Sequence, residues 1–211
     1  MKANNKRVLI LAPHTDDGEF GCGGTICRFI QEGAIVYYAA FSSCGISVPK
    51  GYPHDVLIKE LRAAAFVLGL KKNNLLIFDF PVRRFDHYRQ EILEELVNLQ
   101  RNLDPDMVFM PSQNDLHQDH FVVAMEGRRA FKQSTIFAYE MPWNNITFST
   151  QAFIKLEESH LARKLEALKK YESQSDRPYA NEEFIRGIAK ARGISAGGIY
   201  AEAFEVVRFI V

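Results

Sequence analysis

Short apolar runs alternate with segments of helical periodicity through the first two thirds of the chain. The runs are continuously apolar, which is typical of strands that helices cover on both faces of a sheet. They are Val8–Ala12, Ile35–Phe41, Leu75–Phe78, Met107–Met110 and Thr135–Tyr139. Strands separated in this way by helices predict βαβ units and a parallel sheet.

Helices are predicted between these strands, because apolar residues recur there every three to four positions. The helical segments are Thr25–Glu32, Asp55–Leu68, Tyr88–Asn102 and His120–Lys132. Gly33 and Gly69 directly follow two of them, as expected of C-terminal caps. The Gly-rich stretch before Thr25 is predicted as a turn.

The last third is predicted to hold two more helices and a closing strand. Ile154–Gln174 has leucines at helical spacing, Glu182–Arg192 is a second helical segment, and Tyr200–Val211 is strand-like. We find no internal repeat, low-complexity stretch or linker. The expected fold class is therefore α/β: one three-layer domain over residues 1–211, with a Rossmann-like, mostly parallel sheet and helices on both faces.

Composition and charge narrow the classes of function. The 211 residues include 26 Lys and Arg and 26 Asp and Glu, so the formal net charge is zero. This balance argues against a protein that holds nucleic acid by net basic charge. Membrane insertion is not expected either, since no apolar run approaches the ~20 residues of a span. Three cysteines without CxxC spacing favour a reducing, cytoplasmic location.

A polar cluster, His14-Thr15-Asp16-Asp17, comes directly after the first predicted strand. In open parallel sheets, ligands bind beyond the carboxyl ends of the strands. The adjacent carboxylates of Asp16 and Asp17 would repel each other unless a cation offsets them. His14 and Asp17 could bind one ion and leave Asp16 free for proton transfer. A helix N-terminus with capping aspartates explains this segment equally well.

A second polar cluster, Asp115-Leu116-His117-Gln118-Asp119-His120, follows the fourth predicted strand. His117 and His120 are three residues apart, so both can approach one site. The alternative is an exposed polar loop in which Asp119 caps a helix. Two such clusters at the ends of buried strands favour a joint site over two unrelated loops.

Together the clusters offer imidazole and carboxylate donors, the set typical of hydrolytic zinc sites. Bound zinc lowers the pKa of water to ~7 and polarises a carbonyl oxygen. A nearby free carboxylate would supply the base, and a second histidine would stabilise the oxyanion. The predicted chemistry is amide or ester hydrolysis. Fe²⁺ or another divalent cation fits the same donors.

With these two clusters, the chain resembles the PIG-L/LmbE family of metal-dependent N-acetylglucosaminyl deacetylases. The paired PHxDD and HxDH motifs carry most of the resemblance, and the supporting segments are spread in order over nearly the whole chain. The matching segments are Ala12–Asp17, Gly21–Thr25, Lys59–Ala64 with Leu68-Gly69, Asp115–His120 and Tyr200–Phe204.

The resemblance implies a role for each residue of the two clusters. It implies three metal ligands, which are His14, Asp17 and His120. Asp16 would be the general base. His117 would stabilise the oxyanion and act as an acid, and Asp119 would orient or tune His117. The implied reaction removes acetate from an N-acetylated sugar amine and leaves a free amine.

Three positions depart from the family pattern. Thr15 stands where members usually have proline, and Gly18 stands where they commonly have glutamate. Leu57 occupies a position at which many relatives carry an arginine that contacts the sugar. None of the three replaces a ligand, so activity is expected to survive, but Leu57 leaves the identity of the sugar open.

Other segments near the expected site carry weaker signals. Arg83 and Arg84 follow the third strand and could hold a phosphate or carboxylate of a nucleotide-linked or phosphorylated substrate. Solvated surface arginines are an equally good interpretation. Trp143 could lie at a substrate rim, although a buried or interface tryptophan is the simpler interpretation. Gly21–Thr25 lacks the G-x-G-x-x-G spacing of a dinucleotide site.

The sequence thus predicts a zinc-dependent enzyme that removes the N-acetyl group from a small-molecule amino sugar or sugar conjugate. Two alternatives stay open. One is hydrolysis of another small amide, such as a thiol-conjugate amide, and the other is a sugar-binding relative without turnover. Homo-oligomers are compatible with the neutral surface.

Overall fold

The computed structural model describes residues 4–211 and contains one seven-stranded sheet. The strands are β1 (Arg7–Ala12), β2 (Ile35–Ala40), β3 (Leu75–Ile77), β4 (Met107–Pro111), β5 (Thr135–Tyr139), β6 (Ala152–Leu156) and β7 (Tyr200–Arg208). The α-helices are α1 (Asp17–Gln31), α2 (Val56–Leu68), α3 (Arg89–Leu103), α4 (Gln118–Ala130), α5 (Glu158–Leu168) and α6 (Glu182–Ser195).

The strand order in the sheet is β3-β2-β1-β4-β5-β7-β6. The first five strands in this order pair in parallel, whereas β7 is antiparallel to both of its neighbours. The predicted α/β fold with a mostly parallel sheet is therefore confirmed. Within the described part of the chain, no helix combines the length and hydropathy that crossing a bilayer requires.

Helices cover both faces of the sheet, because the side chains of β1 alternate between two buried clusters. Ile10 packs in one cluster with Ile26 of α1 and Leu61 of α2. Its neighbour Leu11 packs in the other cluster with residues of α3 and α4, among them Leu96. Burial on both faces is why the strands are apolar at nearly every position.

The chain order makes β1 and β4 the centre of the sheet. From β1 the chain moves outward to β2 and β3, then returns to β4 and moves outward the other way to β5. The loops that leave β1 and β4 therefore separate, and a crevice opens between them. Such a switch point is the usual ligand site of an open α/β sheet. Both polar clusters of the sequence lie there.

Two of the predicted element assignments are wrong. Ile154–Gln174 was expected to be one helix, but Ile154 and Leu156 belong to β6, which pairs antiparallel with β7. The helix α5 is shorter and begins at Glu158. The pairing with a distant strand outweighs the local helical pattern, which periodicity alone does not reveal.

The Gly-rich stretch expected to be a turn is also helical. Helix α1 begins at Asp17 and kinks at Cys22, where φ is −148° and ψ is 28°. The carboxylate of Glu202 on β7 accepts hydrogen bonds from the backbone N–H groups of Gly24 (3.0 Å) and Thr25 (2.7 Å). It caps the helical segment that follows the kink, which gives Glu202 of the Tyr200–Phe204 segment a structural role.

The glycines of this segment let α1 approach the sheet closely. A Cβ atom on Gly21 would lie 2.4 Å from the ring of Tyr139, which is fully buried on β5. The Tyr139 hydroxyl in turn donates a 2.9 Å hydrogen bond to the carbonyl oxygen of Leu11. Neither partner can move without disturbing the strand from which the polar cluster departs.

We predict that Gly21→Ala lowers the free energy of unfolding by about 1–3 kcal/mol, because the added methyl group overlaps a ring fixed in the core. Gly187→Ala is the matched control. It lies within α6 with nothing within 4 Å of an added Cβ atom, so it should be neutral or stabilising by up to about 1 kcal/mol. Urea denaturation measures both values. Equal effects of the two substitutions would contradict this packing account.

Candidate metal and catalytic site

The two polar clusters meet at the carboxyl ends of β1 and β4. His14 lies in the loop after β1, and Asp17 is the first residue of α1. His117 is the N-cap of α4, and His120 lies in the first turn of that helix. Both helices thus start at the crevice and point their first turns toward it, as the strand-end positions in the sequence indicated.

Three donor atoms from these residues form a nearly equilateral triangle. The Asp17 Oδ2 atom lies 3.1 Å from His14 Nδ1 and 3.1 Å from His120 Nε2. The two ring nitrogens lie 3.2 Å apart. Donors at ~2.0–2.1 Å from a tetrahedral zinc ion are separated by about 3.3 Å. The three predicted ligands are therefore spaced as a zinc site requires.

Each of the two histidines is held by a carboxylate at its other ring nitrogen. His14 Nε2 lies 3.0 Å from Asp119 Oδ2, and His120 Nδ1 lies 2.7 Å from Asp115 Oδ2. Such pairs fix the ring orientation and make metal-ligating histidines more basic. In the neutral rings that bind a metal, the proton would face the carboxylate, and His14 Nδ1 and His120 Nε2 would then be the unprotonated nitrogens.

Asp119 was expected to orient or tune His117, and its negative charge does act on the pKa of that ring, but its carboxylate makes its contacts elsewhere. It contacts His14 and accepts hydrogen bonds from the backbone N–H groups of Arg83 (2.6 Å) and Phe85 (3.3 Å). Only the backbone N–H of Asp119 contacts His117. The reason is that Asp119 is fully buried beneath the site, where the loop after β3 supplies its remaining donors.

Asp115 is the residue of this site to which the sequence analysis gave no role. Besides contacting His120, it accepts a 2.8 Å hydrogen bond from the backbone N–H of His117 and is buried. Its position in the second polar cluster is the feature of the sequence that could have indicated a role at the site. Which carboxylate of that cluster serves which histidine depends on the loop conformation and does not follow from spacing.

Close packing of these groups shifts their pKa values strongly. Burial alone would lower the pKa of His14, but Asp17 and Asp119 outweigh it and raise that pKa to about 9. Burial would also lower the pKa of His120, but Asp17 and Asp115 outweigh it and raise that pKa to about 10. Burial would raise the pKa of Asp17, yet His120 and His14 hold it well below its usual value. Without a metal, the triangle is thus a pair of protonated histidine rings around one carboxylate anion.

His117 also brings a ring nitrogen to the site, since the three histidines place one donor each within 4.8 Å of one another. Asp17 competes with His117 for the third ligand position, because its oxygen lies 3.1 Å from each of the other two donors. The His117 Nδ1 atom already accepts a 3.2 Å hydrogen bond from the Asp119 N–H. That bond indicates the tautomer in which Nε2 carries the proton.

Burial, His14 and His120 lower the pKa of His117 to about 4. A neutral ring with a proton on Nε2 can donate a hydrogen bond to an oxyanion without first being protonated. The lowered pKa therefore favours the predicted role of His117 in oxyanion stabilisation over the predicted role as an acid, because the ring is neutral at neutral pH.

Asp16 precedes α1 and makes no side-chain cap to it. Its carboxyl group lines the crevice beside the triangle. Burial and the neighbouring Asp17 raise its pKa to about 6. The carboxylate is thus close to the metal ligands without belonging to their triangle, which is the position that a general base needs.

A buried hydrogen-bond network holds the loop that carries Asp16 in place. Tyr38 and Tyr171 both donate hydrogen bonds to the carbonyl oxygen of Thr15, at 3.2 and 2.6 Å, and both contact the buried Glu19 carboxyl group. Burial raises the pKa of Glu19 to about 8. The Tyr38 ring also fills the space beside Gly18, so a Cβ atom there would overlap it. This contact explains the glycine at that position.

The crevice opens into a cavity of about 300 Å³. Arg83 lines this cavity, whereas Arg84 is not among its lining residues. Leu57 lines it too and packs with Cys44 and Val82 into an apolar part of the wall. The structure adds lining residues that the sequence analysis missed or interpreted otherwise, which are Trp143, Asn144, Gln174, Arg177 and Tyr179.

Comparison with known proteins identifies the family of this chain. The family model "PIG-L: GlcNAc-PI de-N-acetylase" matches residues 9–131, more than half of the chain. A diacetylchitobiose deacetylase of Thermococcus kodakarensis is 27% identical over 96% of this chain and 83% of its own length. The deacetylase YaiS of Escherichia coli is 30% identical over 82% of this chain and 95% of its own.

A solved structure has the same fold over nearly the whole chain. The conserved protein TT1542 of Thermus thermophilus superposes with a TM-score of 0.83 and 26% identity, covering 98% of this chain and 96% of its own. The matched region of the family model contains both polar clusters. The chain belongs to the PIG-L family, as the motifs predicted.

We predict that His120→Gln and Asp17→Asn each weaken zinc binding by at least about 100-fold, since each removes one of three donors. Asp115→Asn should weaken it by about 10–100-fold, because it frees the ring of a ligand. Calorimetric titration with zinc measures these affinities.

His117→Gln distinguishes the two possible third ligands. With Asp17 as the ligand, this variant keeps an affinity within a few-fold of the unchanged protein. His87→Gln is the control, because His87 is exposed and does not line the cavity. If His117→Gln loses zinc while Asp17→Asn keeps it, the ligand assignment is wrong.

Proposed function

We propose that this protein is a zinc-dependent hydrolase that removes the N-acetyl group from an amino sugar or sugar conjugate. The observation that carries the proposal is the triangle of His14, Asp17 and His120 with the free carboxyl group of Asp16 beside it. The relative named diacetylchitobiose deacetylase, which matches 96% of this chain, supports the substrate class. We assign the activity to one LmbE-like domain over residues 1–211.

In this proposal, His14 Nδ1, Asp17 Oδ2 and His120 Nε2 hold the zinc ion. When bound, zinc polarises the acetyl carbonyl and lowers the pKa of a water molecule. Asp115 and Asp119 keep the two imidazoles in the orientation that ligation needs. Fe²⁺ fits the same donors, so the native metal is part of the proposal.

The side chains of the chain itself handle the proton and the developing charge. Asp16 accepts a proton from the attacking water molecule and passes it to the nitrogen of the departing amine. The Nε2–H group of His117 donates a hydrogen bond to the acetyl oxygen as negative charge develops there. The products are acetate and the free amine of the sugar.

The cavity sets what the substrate contacts beyond its amide. Arg83 lies on the wall and is a candidate for binding an anionic group of the substrate, whereas Arg84 is the weaker candidate because it does not line the cavity. A cytoplasmic location, suggested by the cysteine usage, and self-association belong to the same proposal.

A second candidate is hydrolysis of a less polar amide, such as a thiol-conjugate amide. The observation that favours it is the apolar wall of Leu57, Val82 and Cys44 beside the site. A substrate panel that includes both classes separates the two candidates.

We predict that the zinc-loaded protein releases acetate from at least one N-acetyl sugar in a panel analysed by mass spectrometry, and that a chelator abolishes the release. Asp16→Asn should lower kcat by about 10²–10⁴-fold, the typical contribution of a general base, with zinc content unchanged. Glu91→Gln, at an exposed carboxylate of α3, should keep full activity.

Three results would contradict the proposal. They are activity that survives complete chelation, an Asp16→Asn variant with the full rate, and acetate release from no member of the panel.

A further inference from the structure

Arg177 lies on the cavity wall in a segment between α5 and α6 that no family motif covers. Its guanidinium is held by two neutral acceptors. Nε donates a 2.6 Å hydrogen bond to Gln174 Oε1, and Nη1 donates a 2.7 Å hydrogen bond to the Tyr179 hydroxyl. The guanidinium carbon also lies 5.7 Å from the centre of the Tyr179 ring, within cation–π range.

A chain of contacts from the core supports this arrangement. Gln174 is buried, and its amide donates a 3.2 Å hydrogen bond to Ser173 Oγ. Ser173 donates from its N–H (2.8 Å) and its hydroxyl (2.6 Å) to the buried carboxylate of Glu60 on α2. The exposed Arg177 side chain is thus fixed through buried residues, so little conformational entropy is lost when it binds a ligand.

The other partner of Arg177 is fixed as well. The Tyr179 ring stacks on Trp143, with ring centres 4.1 Å apart and planes 9° from parallel. Phe20 meets both rings edge-on at 5.3 and 5.4 Å. The wall of the cavity beside Arg177 is therefore a rigid aromatic stack.

The positive charge of Arg177 attracts the Asp16 carboxylate and so counteracts the rise in its pKa, but the two groups do not form an ion pair. Among residues 4–211, no carboxylate forms an ion pair with Arg177, and the same holds for Arg83 on this cavity. The carboxylates that line the cavity are Asp16 and Asp17. A divalent cation in the triangle would offset the charge of those two, and the two arginines would then place positive charge on the cavity wall. Such a cavity attracts an anionic ligand.

We propose that Arg177 is a specificity-determining residue that binds an anionic group, a phosphate or a carboxylate, on the N-acetylated substrate. This inference rests on the proposed deacetylation and narrows its substrate class. Nε and Nη1 are already oriented by protein acceptors, so the remaining N–H groups of the fork are available for oxygens of the anion. Arg83 adds charge to the same cavity, but no comparable contacts of its side chain are present among the described residues.

The test compares N-acetylglucosamine 1-phosphate and N-acetylglucosamine 6-phosphate with neutral N-acetylglucosamine on the zinc-loaded enzyme. Arg177→Gln should raise KM for at least one phosphate about tenfold or more, since a charge-assisted hydrogen bond is lost. The effect on kcat/KM for the neutral sugar should be clearly smaller than the effect for that phosphate. Arg177→Lys should give a KM for that phosphate between those of the unchanged protein and Arg177→Gln, because lysine keeps the charge but lacks the forked donor geometry of arginine.

Arg101→Gln is the matched control, at an exposed arginine of α3 that does not line the cavity, and it should leave all three substrates unaffected. Equal effects of Arg177→Gln on phosphorylated and neutral sugars would overturn the inference. So would unchanged affinity for the phosphates, because a phosphate held by the metal alone does not need Arg177.

Calorimetric binding of the same phosphates separates this inference from the proposed function. If no sugar is deacetylated but Arg177→Gln abolishes binding of a sugar phosphate, the proposed function is wrong and the anion site stands. If binding is also unaffected by the substitution, both are wrong.

Discussion

The contact between one carboxylate and two imidazoles at the carboxyl ends of β1 and β4 is the constraint on which the rest of the structure depends. Asp17, His14 and His120 lie within 3.2 Å of one another in a largely buried crevice. Burying such polar groups costs free energy unless every one of them is paired. A divalent cation at their centre would satisfy all three at once.

The surrounding fold is organised around that contact. Helix α1 begins at Asp17 and α4 at the residue after His117, so the first turns of both helices carry the site. The buried carboxylates of Asp115 and Asp119 hold the histidine rings from the side opposite the triangle. Glu19, Tyr38 and Tyr171 hold the loop after β1 from below. The three side chains of the triangle are therefore held in place by protein contacts alone, which is the preorganisation that the proposed metal site needs.

Much of this arrangement could be predicted from sequence, because its signals are local. The strands are apolar on both faces, and the two polar clusters directly follow β1 and β4, so their meeting at the switch point follows from general rules of α/β sheets. The motif resemblance, which the family match confirms, then supplied roles for His14, Asp17 and His120.

The rest depends on contacts between residues far apart in the chain. Strand β6 exists because it pairs with β7, and its own sequence has a helical pattern. Asp119 contacts His14, over a hundred positions away, rather than its near neighbour His117. Arg177 reaches the cavity because buried Glu60 and Ser173 place the turn that carries it. No local pattern specifies such pairings.

Binding of a single metal ion by one carboxylate and two imidazoles is tested most directly by anomalous diffraction at the zinc edge from crystals of the zinc-loaded protein. We expect one strong peak about 2.0–2.2 Å from His14 Nδ1, Asp17 Oδ2 and His120 Nε2. A peak bound by all three histidines without Asp17, or a peak elsewhere in the molecule, would contradict it.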